Sequence, residues 1–139
     1  MKITLQQIDE TIRFVANNDS GNVLTIDGNP PVPGEDKGMR PMEIMLSGIA
    51  GCSSVDVVEI LKKQRQNVND FKVEITAERA AEAPRFFKAL HLHFIVTGTV
   101  KEKKLKEAIE LSIHKYCSAM LSLDKNITID YSTTILNEG

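Results

Sequence analysis

Tryptophan is absent from this chain of 139 residues, aromatic residues make up only 5% of it, and there are just two cysteines. The formal net charge of −2 gives no electrostatic reason to expect nucleic acid or an anionic membrane as a partner. No apolar run approaches the roughly 18 residues that a membrane span needs. The first ten residues turn polar too soon for a signal peptide. We therefore predict a cytoplasmic protein that binds neither nucleic acid nor membrane.

The balance of residue types is that of an ordinary globular protein, with 42% hydrophobic and 26% charged residues. This length is typical of one domain, so we predict a single domain over 1–139. Two cysteines in a reducing compartment do not suggest a structural disulfide. They are also too few for a closed zinc site without a histidine or carboxylate. The ordinary interpretation of each cysteine is a small buried hydrophobe.

The first third of the sequence alternates between apolar and polar residues in three short segments, 3–9, 12–16 and 22–27. Turn-forming residues separate them, so we predict an antiparallel meander of three strands. The segment 27–38 holds three of the five prolines and three glycines. This composition predicts an exposed loop rather than a linker between domains, because the meander is too small to be stable alone.

A long apolar helix is predicted to begin at Pro41, since proline suits the first helical position. Glu43 falls in its first turn, where a carboxylate favours the helix dipole. Residues 44–61 are apolar or small on almost every face, which is typical of a helix buried on all sides. In a chain of this size, so much buried helix suggests that a partner subunit covers part of it. Small residues in its first half would let another backbone approach closely.

The second half of the sequence predicts two alternating strands over 70–79 and 87–100, a helix over 101–123 and a last strand over 127–136. The inferred order is β-β-β-α-β-β-α-β. We therefore predict an α+β fold with antiparallel sheet packed on two long helices. The apolar stripe of the second helix contains Leu105, Ala108, Ile109, Ser112, Ile113, Tyr116 and Met120, with Cys117 at its edge.

His91 and His93 lie together on one face of the strand over 87–100. With a third ligand they could bind a metal ion, but a half-exposed or interfacial face is the more ordinary interpretation. Each cysteine lies on a predicted long helix, Cys52 on the first and Cys117 on the second. Packing of these helices would bring the thiols near each other, and a pair within disulfide reach would be a redox dithiol. A zinc site made from both cysteines and a histidine is a further alternative.

Two segments resemble the signatures of the OsmC/Ohr family. "RPMEIMLSGIAGC" (40–52) is similar to the first signature, in which a proline, an acid and a small-residue helix precede the reactive cysteine. "HKYCSAML" (114–121) is similar to the second, in which a cysteine follows a histidine by three residues, as Cys117 follows His114. The separation of the cysteines and the order of elements also match. "ERAAEAPRFFKALHLHFIVTG" (78–98) resembles the YhfA-like subgroup.

The resemblance implies an intertwined homodimer with two central helices wrapped by sheets. It also implies a thiol-dependent peroxidase that reduces organic hydroperoxides, with hydrogen peroxide as a further candidate, in oxidative stress defence. Cys52 would attack the peroxide, Cys117 would form a disulfide with the resulting sulfenic acid, and a dithiol would reduce that disulfide. No metal or organic cofactor is required.

The resemblance further implies an arginine from the meander, held by a glutamate, that favours the reactive thiolate. These residues would be Arg13 and Glu43. Met42 stands directly after Pro41, where the hydroperoxide reductases have the acid, so Glu43 lies one position later. The alternatives to Arg13 are Arg40, Arg79 and Arg85. A different class of function is also open: a module that binds or senses a small apolar or electrophilic ligand.

Overall fold

A computed structural model describes residues 1–28, 32 and 35–137 of the chain. Its fold is α+β, as predicted. The elements follow in the order β1 (Ile3–Gln7), β2 (Arg13–Asn18), β3 (Val23–Asp27), α1 (Pro41–Lys63), β4 (Asn67–Arg79), β5 (Phe87–Thr99), α2 (Glu102–Leu111), a π-helical turn (Ser112–Tyr116), α3 (Ser118–Leu121) and β6 (Thr128–Leu136). The chain divides into two compact units, Met1–Met45 and Leu46–Gly139. Each unit contains one three-stranded sheet.

The sheet of the first unit is the predicted antiparallel meander, in the order β1-β2-β3. Its second turn closes at Gly21, whose φ of +84° is favourable for glycine alone, and whose N–H donates to the Asn18 carbonyl at 3.2 Å. Met39 pairs with Ile26 at the edge of β3. Of the loop predicted over 27–38, residues 29–31 and 33–34 lie outside the described part of the chain.

Helix α1 begins at Pro41 as predicted but is not buried on all sides within one chain. Its buried residues repeat every four positions and form one narrow stripe: Ile49, Ser53, Val57 and Leu61. Large apolar side chains elsewhere on the helix are exposed, among them Met45 at 45% and Val55 at 60%. Only one face of α1 therefore meets the core of its own chain, and the cover predicted for the rest of the helix from a partner subunit stays a prediction.

The length of α1 differs from the expectation that no apolar segment is long enough to span a membrane. Within the described residues, α1 alone is long and apolar enough to cross a membrane by length and composition. A core helix of a soluble protein passes the same test, so this property by itself is weak evidence for a membrane.

The sheet of the second unit has the order β4-β5-β6 and is mixed rather than antiparallel. Strands β4 and β5 form the predicted antiparallel hairpin, whereas β5 and β6 are parallel. The segment between β5 and β6 contains α2, and such a helical crossover joins parallel neighbours. The inward face of β5 supplies the core with four almost fully buried side chains: Leu90, Leu92, Phe94 and Val96.

The single helix predicted over 101–123 is wrong, because three segments occupy that region. Helix α2 ends at Leu111, the π-turn follows, and Cys117 is extended with φ −73° and ψ 107° before the short α3. A π-turn holds one residue more than an α-helical turn and so changes which side chains face inward. Tyr116, predicted inside, is 51% exposed, while Cys117, predicted at the edge, is fully buried.

Candidate functional site

Cys117 lies at the break between the π-turn and α3, and backbone hydrogen bonds hold it there. Its N–H donates to the Ser112 carbonyl five residues earlier, at 2.8 Å, which closes the π-turn. Its Sγ accepts from the N–H of Met120 at 3.5 Å and so caps the first turn of α3. The thiol is therefore fixed on an irregular segment rather than on a regular helical face.

The two cysteines, both reduced, meet within the second unit. Cys117 is fully buried and Cys52 is half-buried on α1. Burial raises the pKa of the Cys117 thiol to about 11, and hydrogen bonding to Cys52 adds to this rise, against the opposing hydrogen bond from Met120. Cys117 is thus a protonated thiol at neutral pH, next to a second and more accessible sulfur.

A buried polar cluster joins α1 to the π-turn beside the two thiols. The Ser112 hydroxyl lies 3.0 Å from the Ser53 hydroxyl and 3.0 Å from the Asp56 carboxylate. A carboxylate only accepts hydrogen bonds, so Ser112 donates to Asp56 and accepts from Ser53. Ser53 follows Cys52 directly, and the Ser112 carbonyl holds Cys117. These three residues therefore connect the backbones that carry both sulfurs.

Arg13 lies on β2 in the first unit, where acidic groups of the same unit surround it. Its guanidinium donates to Asp27 at 3.0 Å, approaches Asp9 at 3.6 Å, and donates to the carbonyl of Glu35 at 2.8 Å. The hydrogen bond to Asp27 raises the pKa of Arg13. Its charge is thus already compensated within the meander and the segment that follows it.

Glu43 also belongs to the first unit, in the first turn of α1. Its carboxylate accepts from the backbone N–H of Arg40 at 2.9 Å, as in a helix N-terminal cap. The other candidate arginines, Arg79 and Arg85, fasten the turn between β4 and β5. Their Nε atoms donate to the carbonyls of Arg85 and Ala80 at 2.8 and 3.2 Å.

His114 is exposed on the π-turn, and its Nε2 lies 3.0 Å from a carboxylate oxygen of Glu110. It lines a groove of about 900 Å³ along α2, together with charged side chains and Tyr131. Neither cysteine lines this groove, so it lies apart from the thiol pair. His114 is therefore a surface residue with an acidic partner, Glu110.

His91 and His93 form the half-exposed face predicted for them, and β6 supplies their hydrogen-bond partners. Within the described part of the chain, no three histidine, cysteine or acidic side chains are grouped closely enough to hold a metal ion. The described residues therefore offer no set of ligands for either alternative, the zinc site at the cysteines or the metal site at His91 and His93.

The polar cluster of Ser53, Asp56 and Ser112 was not predicted from the sequence. Ser112 was placed on the apolar stripe of the second predicted helix, and no role was predicted for Ser53 or Asp56. The signal that could have found them is an acid four residues after the cysteine, on a helix face that is otherwise apolar or small.

Comparisons with known proteins agree on the fold. Residues 34–132 match the family described as OsmC-like protein. The chain is similar to Protein YhfA of Escherichia coli K12, with 43% identity over 128 residues that cover 91% of this chain and 92% of that one. Two crystal structures are also similar, a hypothetical protein from Aquifex aeolicus VF5 and the organic hydroperoxide resistance protein OhrB of Bacillus subtilis.

The Aquifex structure is 30% identical with a TM-score of 0.86, and the match covers 99% of this chain and 97% of that chain. The Bacillus structure is 16% identical with a TM-score of 0.65, and the match covers 96% of each chain. At that level of identity the second likeness supports the fold alone.

Proposed function

Because the chain belongs to the OsmC-like protein family, we propose that it is a thiol-dependent peroxidase that reduces organic hydroperoxides. The observation that carries this proposal is the proximity of two free thiols, Cys52 and Cys117, in the second unit. A dithiol built from two separate elements has the arrangement that a sulfenic acid and disulfide cycle needs. The Bacillus protein of the same fold is named an organic hydroperoxide resistance protein, and this name also supports the proposal.

The proposed cycle has three steps. The Cys52 thiolate attacks the distal peroxide oxygen, the O–O bond breaks, and an alcohol leaves after taking a proton, so that Cys52 becomes a sulfenic acid. The Cys117 thiol then attacks the Cys52 sulfur, and water leaves as the disulfide forms. An external dithiol reduces the disulfide to two thiols and is itself oxidised.

Burial supports this assignment of roles. Cys52 is half-buried and can meet a substrate, whereas Cys117 is fully buried and its pKa is about 11. A protonated thiol is a poor nucleophile, so Cys117 does not compete with Cys52 for the peroxide. Cys117 therefore fits the resolving role.

The remaining parts of the proposal concern residues and partners outside the thiol pair. Arg13 and Glu43 are proposed to favour the Cys52 thiolate, as the family resemblance implies. The protein is proposed to act in the cytoplasm as a homodimer, in oxidative stress defence, with hydrogen peroxide as a further candidate substrate. The exposed apolar side chains of α1 support a second copy as the cover of that helix.

Consumption of cumene hydroperoxide with dithiothreitol tests the cycle. We expect turnover by the wild type and only the buffer rate for Cys52→Ser, because the nucleophile is gone. Cys117→Ser should still react once, since Cys52 can form its sulfenic acid, but later turnovers should slow. Trapping by dimedone should detect that sulfenic acid by mass spectrometry.

If wild type and Cys52→Ser consume equally little hydroperoxide, the protein is not a peroxidase. The same assay tests the proposed cation. Arg13→Gln should lower kcat/KM, while Arg79→Gln, which changes an arginine that serves the β4–β5 turn, is the matched control. Equal rates for these two variants would remove Arg13 from the mechanism.

A second candidate function is a module that binds or senses a small apolar or electrophilic ligand. The pairing of Arg13 with Asp27 and Asp9 favours it, because those carboxylates already compensate the cation that a fast peroxidase would use. A sensor would form the Cys52–Cys117 disulfide stoichiometrically with an oxidant, without catalytic turnover in the presence of a dithiol.

A further inference from the structure

A second group of reactive residue types lies on the outer face of the β4-β5-β6 sheet. His91 and His93 on β5 stand opposite Asp130 and Ser132 on the parallel strand β6. The inward face of β5 belongs to the core, so this group lies on the opposite side of the strand. Neither cysteine is part of it, and the thiol cycle does not use it.

Four hydrogen bonds connect these side chains in one line. His91 Nδ1 lies 2.6 Å from Asp130, and His91 Nε2 lies 2.8 Å from the Ser132 hydroxyl. The same hydroxyl lies 2.6 Å from His93 Nδ1, and His93 Nε2 lies 3.0 Å from the Thr134 hydroxyl. Ser132 is therefore held between two imidazoles, one of which is held by a carboxylate.

With neutral imidazoles and an ionised Asp130, every proton in this line has one position. Asp130 only accepts, so His91 donates from Nδ1 and its Nε2 is an acceptor. Ser132 must then donate its only proton to His91, and its oxygen accepts from Nδ1–H of His93. The Nε2 of His93 is left as an acceptor, which the Thr134 hydroxyl satisfies.

This arrangement contains the three groups that make up an activated serine in hydrolases: a hydroxyl, an imidazole base and a carboxylate. A hydroxyl donates to the basic nitrogen of an imidazole, and a carboxylate fixes the tautomer and orientation of that imidazole. His91 is 41% exposed and Asp130 is 70% exposed at their side chains, so the base and the carboxylate meet solvent, whereas Ser132 is half-buried. A shallow cavity of about 360 Å³ beside this group is lined by His91, Asp130 and residues of β4 and β5, and Ser132 lies next to it rather than in its lining.

We propose that Ser132 is a nucleophile that accepts acyl groups from small activated esters, with His91 as its base and Asp130 as the residue that orients His91. The Ser132 oxygen forms a bond to the acyl carbon, and the ester C–O bond breaks. The serine proton passes to His91 Nε2 and then to the leaving alcohol. Water hydrolyses the acyl-serine to a carboxylic acid by the same base.

Labelling with a fluorophosphonate tests this site, because such probes form an O–P bond to activated serines with loss of fluoride. Peptide mass spectrometry would compare Ser132 with exposed Ser20 of the β2–β3 turn in the same sample. We expect Ser132 to label at least about 100-fold faster, the usual contribution of a positioned base. Incubation with p-nitrophenyl acetate should place an acetyl group on Ser132.

Three variants assign the roles. His91→Gln keeps a polar side chain without the base and should lower Ser132 labelling to the rate of Ser20. Asp130→Asn should also lower it, because His91 loses the acceptor that fixes its tautomer. Thr134→Val, at the far end of the line, is the matched control and should label much as the wild type does.

Circular dichroism would establish that each variant is folded, and the exposed Asp130 position gives a second test where His91→Gln does not fold. The proposal is overturned if Ser132 labels no faster than Ser20, or if Asp130→Asn and His91→Gln both label at the wild-type rate. Hydroperoxide consumption by Ser132→Ala should be unchanged, so this outcome is independent of the thiol cycle.

Discussion

The environment of one thiol, Cys117, sets how the protein should respond to alkaline pH. Burial raises its pKa from 9.0 to about 11, so the folded chain holds this proton more tightly than the unfolded chain does. The resulting stabilisation is fully present below pH 9 and is lost as the pH rises through about 11.

We therefore expect the free energy of unfolding of the wild type to fall between pH 9 and 11 more steeply than that of Cys117→Ala. Urea denaturation at several pH values measures both curves. The variant also loses packing, but that loss does not vary with pH, so the difference in slope isolates the thiol. Parallel curves would show that Cys117 titrates normally in the folded chain.

At the scale of the elements, the contact between α1 and the π-turn depends on a single hydroxyl. Ser112 is fully buried, and Ser53 and Asp56 of α1 lie 3.0 Å from its oxygen. Removing that oxygen leaves a buried hydroxyl and a carboxylate without this partner. A buried hydroxyl that loses its partner costs about 1–3 kcal/mol, whereas the half-buried Asp56 carboxylate can accept from water instead.

Ser112→Ala should therefore lower the free energy of unfolding by about 1–3 kcal/mol. Ser122→Ala is a matched control, because the Ser122 hydroxyl donates to the Ser118 carbonyl on the exposed surface, where water replaces it. Urea denaturation of both variants gives the comparison. Equal effects would mean that the buried cluster does not hold α1 to the π-turn.

The hairpin of β4 and β5 was predictable because its residues alternate between inward and outward positions over most of their length. Along β5, for example, Leu90, Leu92 and Phe94 are buried, as the period of two required. The π-turn was not predictable in the same way. A regular α-helix, with 3.6 residues per turn, would place Tyr116 on the buried face and Cys117 at its edge. The extra residue of the π-turn reverses this, so that Cys117 is buried and Tyr116 is exposed.

The residues of the candidate site were likewise predictable only in part. Cys52 and Cys117 could be identified because they match two family signatures, and the structure brings them together. The hydrogen-bonding partners of Ser112 and Ser132 could not be identified, because each requires knowing which residues of another element stand opposite. The parallel pairing of β6, which places Ser132 beside His93, was itself predicted incorrectly.

At the scale of the whole molecule, α1 presents apolar side chains that its own chain does not cover. Val55 is 60% exposed and Met45 is 45% exposed. Gly48 and Gly51 leave open space at the helix surface, where an added Cβ would meet nothing within 4 Å. Such a face suits the close approach of another helix, which supports the proposed homodimer.

Val55→Asp should convert the proposed dimer to a monomer, because a charge would be buried without a partner in the interface. Light scattering during size-exclusion chromatography measures the mass. Lys88→Glu on the exposed side of β5 also changes a charge and should leave the dimer intact. A wild type that elutes with the mass of one chain would contradict the homodimer.

The helix whose apolar face lacks cover is also the helix that carries Cys52. If a second copy supplies that cover, and if the proposed peroxidase works only as the dimer, the abundance of the protein becomes a control on peroxide clearance. Below the dissociation constant of the dimer, clearance would fall roughly with the square of the protein concentration, because two chains make one working unit. A modest rise in expression during stress would then produce a disproportionate gain in protection.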